Sequence, residues 1–193
     1  MRIPTTAKGR QTMAGITAAA ARLMHDRGIT ATSLDDVLAA SGAGKSQLYH
    51  YFGDKEGLTQ AVFRLQLDRI LANQQSLSDP SCDDLTRWRD EVLAALRASD
   101  FGMCPLGTFA GQVGDSSVLR ATLSDLFEEW RLALAALVRR AAGAGHVVAG
   151  VDPDEAATCL LAALEGGTML ANLQHDEAPL RTMLDAELAR LTR

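Results

Sequence analysis

Hydrogen-bonding and cationic side chains are concentrated in the segment KSQLYHYF, which runs from Lys45 to Phe52. Gln47 can pair with two edge atoms of adenine, Lys45 can reach guanine or a phosphate, and Ser46 is short enough to sit close to base edges. Tyr49 and His50 suit a phosphate, a sugar or a thymine methyl group. Side chains of these types on one short helix indicate a surface that reads the major groove of DNA.

The residues before this segment predict the helix that must position it. Ser33 offers its hydroxyl to the first free amides, and Asp35 and Asp36 place negative charge in the first turn. Apolar residues then recur at i, i+3 and i+4 until Gly42 and Gly44 permit a tight turn. We therefore predict a short helix followed by a turn.

In the second helix, Leu48 and Phe52 are four residues apart and are expected to point back towards the first. Tyr51 is open to two interpretations, as a core residue or as a phosphate contact. Two short helices joined by a turn containing glycine, the second with a polar outer face, predict a helix-turn-helix.

The run GITATSLDDVLAASGAGKSQLYHYFGDKEGLTQAVF resembles the DNA-binding domain of TetR-type transcriptional regulators, and the resemblance covers about residues 8 to 65. Ala43 and Gly44 depart from the family pattern, which usually has Val and then Ser or Thr. A side-chain cap for the second helix is therefore expected to be missing, and Ser46 is a possible substitute.

The positions that contact DNA in the family fall on this segment, and Lys55 would hold the DNA backbone from the start of a further helix. The predicted DNA-contacting residues are Ser33, Lys45, Ser46, Gln47, Tyr49, His50 and Lys55. Residues 1 to 7 are expected to form a loose arm, from which Arg2 could reach a phosphate.

The formal net charge of −5 is unevenly distributed along the 193 residues. Residues 1 to 60 carry a net +2 and the remainder a net −7. A basic head on an acidic body favours orientation on a polyanion. With 47% apolar residues, the chain is expected to fold throughout.

Helical spacing of apolar residues continues along the chain, and no strand pattern is evident, so we predict an all-α protein of about nine helices. We expect a helix-turn-helix domain at residues 1–53, a connecting helix at 54–76 and a helical ligand-binding and dimerisation domain at 77–193. Further helices are expected at about 83–98, 106–113, Ser116 or Ser117 onwards, from Pro153, and 177–191. A connecting helix of this length could carry movement between the domains.

One three-helix head reads only a few base pairs, so useful specificity requires two heads on a palindromic operator in double-stranded DNA. The resemblance implies a homodimer through the last two helices. The alternative is that their apolar stripes are buried within one subunit.

The resemblance also implies that a small-molecule inducer binds in the body and releases DNA. The scarce aromatic residues cluster there with sulfur-containing and polar side chains, although each could simply be core. The predicted ligand-binding residues are Trp88, Phe101, Met103, Cys104, Phe109, Phe127, Trp130, Met169 and Asn172. Gln112 and His175 are further candidate polar contacts.

The same residues are compatible with other functions. Cys104 precedes a predicted helix, which would favour a thiolate and a redox or electrophile sensor. A DNA-binding activator that ignores ligands is another alternative. No enzyme motif, metal-ligand spacing, cofactor motif, signal peptide or membrane span is recognised, so a cytoplasmic regulator that is not an enzyme is expected.

Overall fold

The protein is described here from a computed structural model covering residues 4 to 192. Arg2 therefore lies outside the described residues. Within them the chain forms nine α-helices and one short 3-10 helix, and it contains no strand, which confirms the all-α prediction. The α-helices are α1 Ala7–Arg27, α2 Leu34–Ser41, α3 Lys45–Phe52, α4 Lys55–Asn73, α5 Gln75–Ser78, α6 Leu85–Ala98, α7 Ser117–Gly143, α8 Pro153–Gln174 and α9 Ala178–Leu191.

The chain divides into two compact units. The head unit consists of the described part of Met1–Asp68 together with Thr108–Leu126. The body unit consists of Arg69–Gly107 and Phe127–Arg193, described as far as residue 192. Helices α4 and α7 each begin in the head unit and end in the body unit. The three-part domain division predicted from the sequence stays a prediction.

The core of the head unit is built on α1, which contacts both α2 and α3. Ile16 and Met24 on α1 are fully buried, as are Val37 on α2 and Leu48 on α3. The loop before α7 is tied to the end of α1, where the Ile29 amide donates to Gln112 Oε1 at 2.9 Å. These contacts hold α2 and α3 in a defined relation to α1.

The body unit is closed by the pair α8 and α9. Helix α8 begins at Pro153 as predicted, and Asp152 caps it by accepting from the amides of Asp154 and Glu155. The close approach of the two helices depends on Gly167, because a Cβ there would lie 2.8 Å from both Cα and Cδ1 of Leu180. Small side chains on α8 therefore serve packing within this subunit.

The connecting helix was predicted to continue to Ser76, but α4 ends at Asn73. Gln74 leaves the helical conformation, with φ −117° and ψ 64°. The short helix α5 that follows is held by the Glu91 carboxylate, which accepts from the Ser76 hydroxyl at 2.6 Å and from the Ser76 amide. These contacts are remote in sequence, so helical periodicity alone could not locate the break.

The helix predicted at residues 106–113 is wrong, since only the 3-10 turn Gly107–Phe109 forms there. The Gly107 amide donates to Cys104 Sγ at 3.3 Å, and the Gln112 amide donates to the Phe109 carbonyl. A segment this rich in glycine has a low helix propensity, so continuing as a helix would gain it little free energy.

Helix α8 is long and apolar enough to cross a membrane, with a mean hydropathy of 1.3 over its most apolar window. Half of that window is buried inside the protein. Because the core helix of a soluble protein passes the same test, the pattern is weak evidence for a membrane span.

Candidate functional site

The amino end of α2 is fixed by a reciprocal cap. Ser33 Oγ accepts from the Asp36 amide at 3.1 Å, and Asp36 Oδ2 accepts from the Ser33 amide at 3.0 Å. The Ser33 hydroxyl also donates to that carboxylate at 2.6 Å. These hydrogen bonds lower the pKa of Asp36. The predicted capping role of Ser33 is confirmed, and its predicted DNA contact would require a hydroxyl that is already engaged.

Gly42 ends α2 in the left-handed conformation, with φ 66°. This region favours glycine because it lacks a Cβ. The chain then enters α3, whose Leu48 and Phe52 are buried as predicted. Tyr51 is also buried, being 9% exposed, so the core interpretation of this residue is correct. Two short helices across a glycine turn form the predicted helix-turn-helix.

Gly44 leaves the start of α3 without a side-chain cap. Gln47 compensates in part, because its Oε1 accepts from the Gly44 amide at 3.0 Å. The oxygen of this half-buried side chain is therefore engaged in the folded protein, and its amide nitrogen keeps its donors. Because an amide oxygen can accept a second hydrogen bond, bidentate pairing with adenine requires the capped orientation of the amide to suit the base edge.

The outer face of α3 consists of Lys45, Ser46, Tyr49 and His50, which are all exposed. Tyr49 is 45% exposed, and the Lys45 ammonium lies 6.0 Å from the centre of its ring. We call these four residues the α3 outer face. A short helix fixed by its apolar side and presenting such groups can enter a major groove.

Lys55 lies at the start of α4 and is half-buried. Its ammonium donates to the Thr30 carbonyl at 3.2 Å. An ammonium has three donors, so this bond leaves capacity for a phosphate. The Thr30 contact also limits where the ammonium can reach.

The body unit contains a pocket of about 140 Å³. Residues lining it come from α4, α6, α7, α8, α9 and the loop after α6: Arg69, Ile70, Asn73, Gln74, Val92, Ala95, Leu96, Ser99, Gly102, Met103, Cys104, Pro105, Trp130, Leu164, Thr168 and Leu180. Three predicted ligand contacts are among them: Met103, Cys104 and Trp130. Their contact with a ligand stays a prediction.

The other six predicted ligand contacts do not line this pocket. Trp88 is fully buried, and its indole donates to Gln74 Oε1 at 2.9 Å. Phe109 lies in the head unit, where its ring packs 5.1 Å from that of Phe63. Gln112 is likewise committed to the head unit through Ile29. Aromatic composition cannot distinguish core residues from pocket residues.

The remaining residues of that prediction are placed on surfaces and in a loop. Phe127 is half-buried and stacks on Trp130. Asn172 donates to the Phe101 carbonyl at 2.8 Å, and the Phe101 ring lies 4.6 Å from that of His175. Met169 is 46% exposed on α8. The contacts of Phe101 with Asn172 and His175 hold the loop after α6 against the end of α8. None of these three side chains lines the pocket.

Cys104 is buried, and burial raises the pKa of its thiol well above the usual value. The negative charge of the nearby Glu165 carboxylate raises the pKa of the thiol further. The helix expected to favour a thiolate does not form. The environment of Cys104 therefore favours a protonated, unreactive thiol.

Sequence reasoning missed Gln74, Asn73 and Thr168 as pocket residues. Gln74 lies within the polar run NQQS, which reads as the solvated end of a helix. Trp130 Nε1 also donates to Gln74 Oε1, at 3.1 Å. Only the folded chain brings this glutamine between two tryptophans.

The sequence matches two family models. Residues 16–62 match the model described as bacterial regulatory proteins, tetR family. Residues 83–186 match the tetracyclin repressor-like C-terminal domain. Together the matches cover both the helix-turn-helix and most of the body.

Among curated proteins, the transcriptional repressor DhaR of Mycobacterium sp. (strain GP1) is 24% identical over 163 residues, which cover 82% of this chain and 81% of DhaR. A TetR regulatory protein from Rhodobacter sphaeroides has a similar fold, with a TM-score of 0.80 at 24% identity over 94% of this chain and 99% of that one. The structure of a complex of SmeT with triclosan is also similar, with a TM-score of 0.75 at 21% identity over 95% and 92% of the two chains.

The matched models together span more than half of the chain, and the helix-turn-helix lies inside the first of them. The chain belongs to the tetR family of bacterial regulatory proteins and is a DNA-binding transcriptional regulator.

Proposed function

We propose that this protein is a ligand-responsive transcriptional repressor that acts in the cytoplasm. It binds a palindromic operator as a homodimer through α3 of each subunit, and a small-molecule inducer releases it. The observation that supports this most strongly is the α3 outer face, an exposed polar and cationic surface on a helix anchored by buried Leu48 and Phe52.

The DNA contacts follow from that surface. Lys45 and Ser46 at the amino end of α3 are proposed to approach base edges, and Tyr49 and His50 to contact phosphate or sugar. Lys55 is proposed to add a backbone contact. Ser33 and Gln47 act first as helix caps, and any DNA contact by either would be made in addition to that role.

Dimerisation is proposed through an exposed apolar patch on the last two helices. On α8, Met169, Leu170 and Leu173 are 46%, 40% and 74% exposed, and Met183 on α9 is 43% exposed. We call these four residues the α8–α9 patch. Apolar side chains grouped on one surface are typical of an interface.

The pocket of the body unit is proposed to receive the inducer. SmeT, whose fold is similar, has been solved with triclosan. For release to occur, the inducer must bind more tightly to the form that cannot hold DNA, because equal affinity shifts nothing.

Fluorescence anisotropy with a duplex selected by the wild-type chain from a random pool tests the DNA-binding part of the proposal. Tyr49→Ala is expected to lower affinity about tenfold or more, since a hydrogen bond to a charged group such as a phosphate contributes about 1.5–3 kcal/mol. Arg22→Ala is the control, because it alters an exposed residue on α1 outside the α3 outer face. Equal affinity of Tyr49→Ala and wild type, with thermal unfolding unchanged, contradicts the proposed docking.

A further inference from the structure

Gln74 is the polar centre of the pocket wall. Gln74 lies between the end of α4 and the start of α5. It is only 5% exposed, and it lines the pocket. Its side-chain oxygen accepts two hydrogen bonds, from Trp88 Nε1 at 2.9 Å and from Trp130 Nε1 at 3.1 Å.

These two bonds determine which way the amide faces. An indole N–H is a donor only, so both tryptophans must meet the oxygen and never the NH₂ group. Rotating the amide by 180° would place its NH₂ group opposite the two indole N–H groups. All of these groups are donors, so both indoles would lose their hydrogen bonds. The orientation of Gln74 therefore follows from the chemistry of its neighbours.

The amide nitrogen of Gln74 has no hydrogen-bond partner among residues 4 to 192. In the same part of the chain, the one fully enclosed side-chain polar atom without a partner is Glu165 Oε1. The Gln74 nitrogen is thus not sealed in the core but borders open space, and the space that Gln74 lines is the pocket. A nearly buried donor that lacks an acceptor is costly unless something in the pocket supplies one.

The rest of the wall is mostly apolar. Leu96, Leu164, Leu180 and Trp130 contribute hydrocarbon and ring surface, and the pocket volume is about 140 Å³. A cavity of about 150 Å³ lined by apolar side chains accommodates benzene. The space therefore suits one small ring or a short branched chain.

Resting on the proposed inducer pocket, we propose that its ligand is a small, largely apolar molecule carrying an acceptor oxygen, and that the Gln74 amide nitrogen donates to that oxygen. The two tryptophans hold the donor in place before the ligand arrives, so little side-chain entropy is lost on binding. The acceptor can belong to a neutral carbonyl or to a carboxylate.

Three probes of similar size test the acceptor: acetophenone, ethylbenzene and benzoate. Ethylbenzene has nearly the shape of acetophenone but no oxygen. Binding can be followed by tryptophan fluorescence, because the chain has two tryptophans and both contact Gln74. The wild-type protein is expected to bind acetophenone or benzoate about tenfold more tightly than ethylbenzene, and the tighter of the two identifies a neutral or an anionic acceptor.

Gln74→Glu is the decisive variant. In its ionised form, which the two indole donors favour, its carboxylate still accepts from both indoles but has no donor of its own. The preference for acetophenone over ethylbenzene, both of which are neutral, is expected to disappear, while the indole N–H resonances stay in hydrogen-bonded positions. Gln75→Glu makes the same change at the neighbouring exposed glutamine, which does not line the pocket, and is expected to keep the preference.

Equal binding of all three probes to the wild type overturns the proposal, and so does an absence of binding at millimolar concentration. A preference that survives in Gln74→Glu, or one that Gln75→Glu also abolishes, overturns the role of Gln74. Operator binding by the same preparations is measured separately, so these results are distinguishable from a failure of the proposed DNA-binding function.

Discussion

At the scale of single residues, the polar side chains of this protein divide into those that stabilise the fold and those that remain available. Ser33 and Gln47 have suitable chemistry for DNA, yet both cap helices. Tyr49 and Lys45 have no such structural role, apart from their mutual proximity. Tyr49 therefore provides the cleaner test of DNA contact, because its removal leaves both caps intact.

Cys104 is expected to react slowly with thiol reagents. Because the folded protein raises its pKa, the thiol stays protonated at pH values where an unfolded cysteine begins to ionise. Alkylation by iodoacetamide at pH 8, followed by peptide mass spectrometry, should label Cys104 at least about tenfold more slowly in the folded than in the unfolded protein. Cys159, which is only half-buried, is the internal comparison. Rapid labelling of Cys104 would instead support the sensor alternative.

The same pKa shift has a consequence for stability. A thiol whose pKa is raised by folding makes its full contribution to the free energy of unfolding at pH values below the pKa of the unfolded thiol. Its contribution falls as the pH rises above that value, because the unfolded chain can then release the proton and the folded chain cannot. As the pH rises into the alkaline range, the free energy of unfolding of Cys104→Ala is therefore expected to decrease less than that of the wild type.

At the scale of secondary structure, the packing of α8 on α9 depends on one glycine of a pair. A Cβ at Gly167 would press on the Leu180 backbone, whereas a Cβ at Gly166 would meet nothing within 4 Å in this chain. The adjacent glycines therefore differ in their tolerance of a methyl group, although both are helical.

Gly167→Ala is expected to destabilise the protein by about 1–3 kcal/mol, the usual cost of overpacking, reduced by alanine's better helix propensity. Gly166→Ala, the matched control, should be neutral or stabilise by up to about 1 kcal/mol. Urea unfolding monitored by circular dichroism measures both. Equal effects of the two substitutions would contradict the packing described for α8 and α9.

At the scale of the whole molecule, the proposed palindromic operator requires two heads and therefore two chains. The α8–α9 patch is the surface that we propose to join them, and Leu173 is its most exposed member. A charge introduced there would have to be buried twice in a symmetric interface.

Leu173→Glu is expected to weaken the dimer by about a hundredfold or more, since each lost leucine burial costs about 1.5–3 kcal/mol and occurs twice. Sedimentation velocity across a dilution series measures the change. Leu132→Glu, at a 46% exposed leucine on α7, is the control. An intact Leu173→Glu dimer at the lowest concentrations would exclude the α8–α9 patch as the interface.

The local chemistry of the sequence was enough to predict the all-α fold, the limits of α3, the cap at Ser33, the start of α8 at Pro153 and the polar face of α3. Each of these depends on residues within about one or two helical turns, where spacing and capping decide the conformation. The family resemblance rested on the same local pattern.

Only the tertiary structure determined which residues line the pocket. Gln74 contacts Trp88 and Trp130, which are 14 and 56 positions away, and Phe109 belongs to the head unit. The break between α4 and α5 and the raised pKa of Cys104 likewise depend on remote partners. Such contacts exist only after the helices have packed, because neither helical periodicity nor residue type encodes which distant side chains will meet.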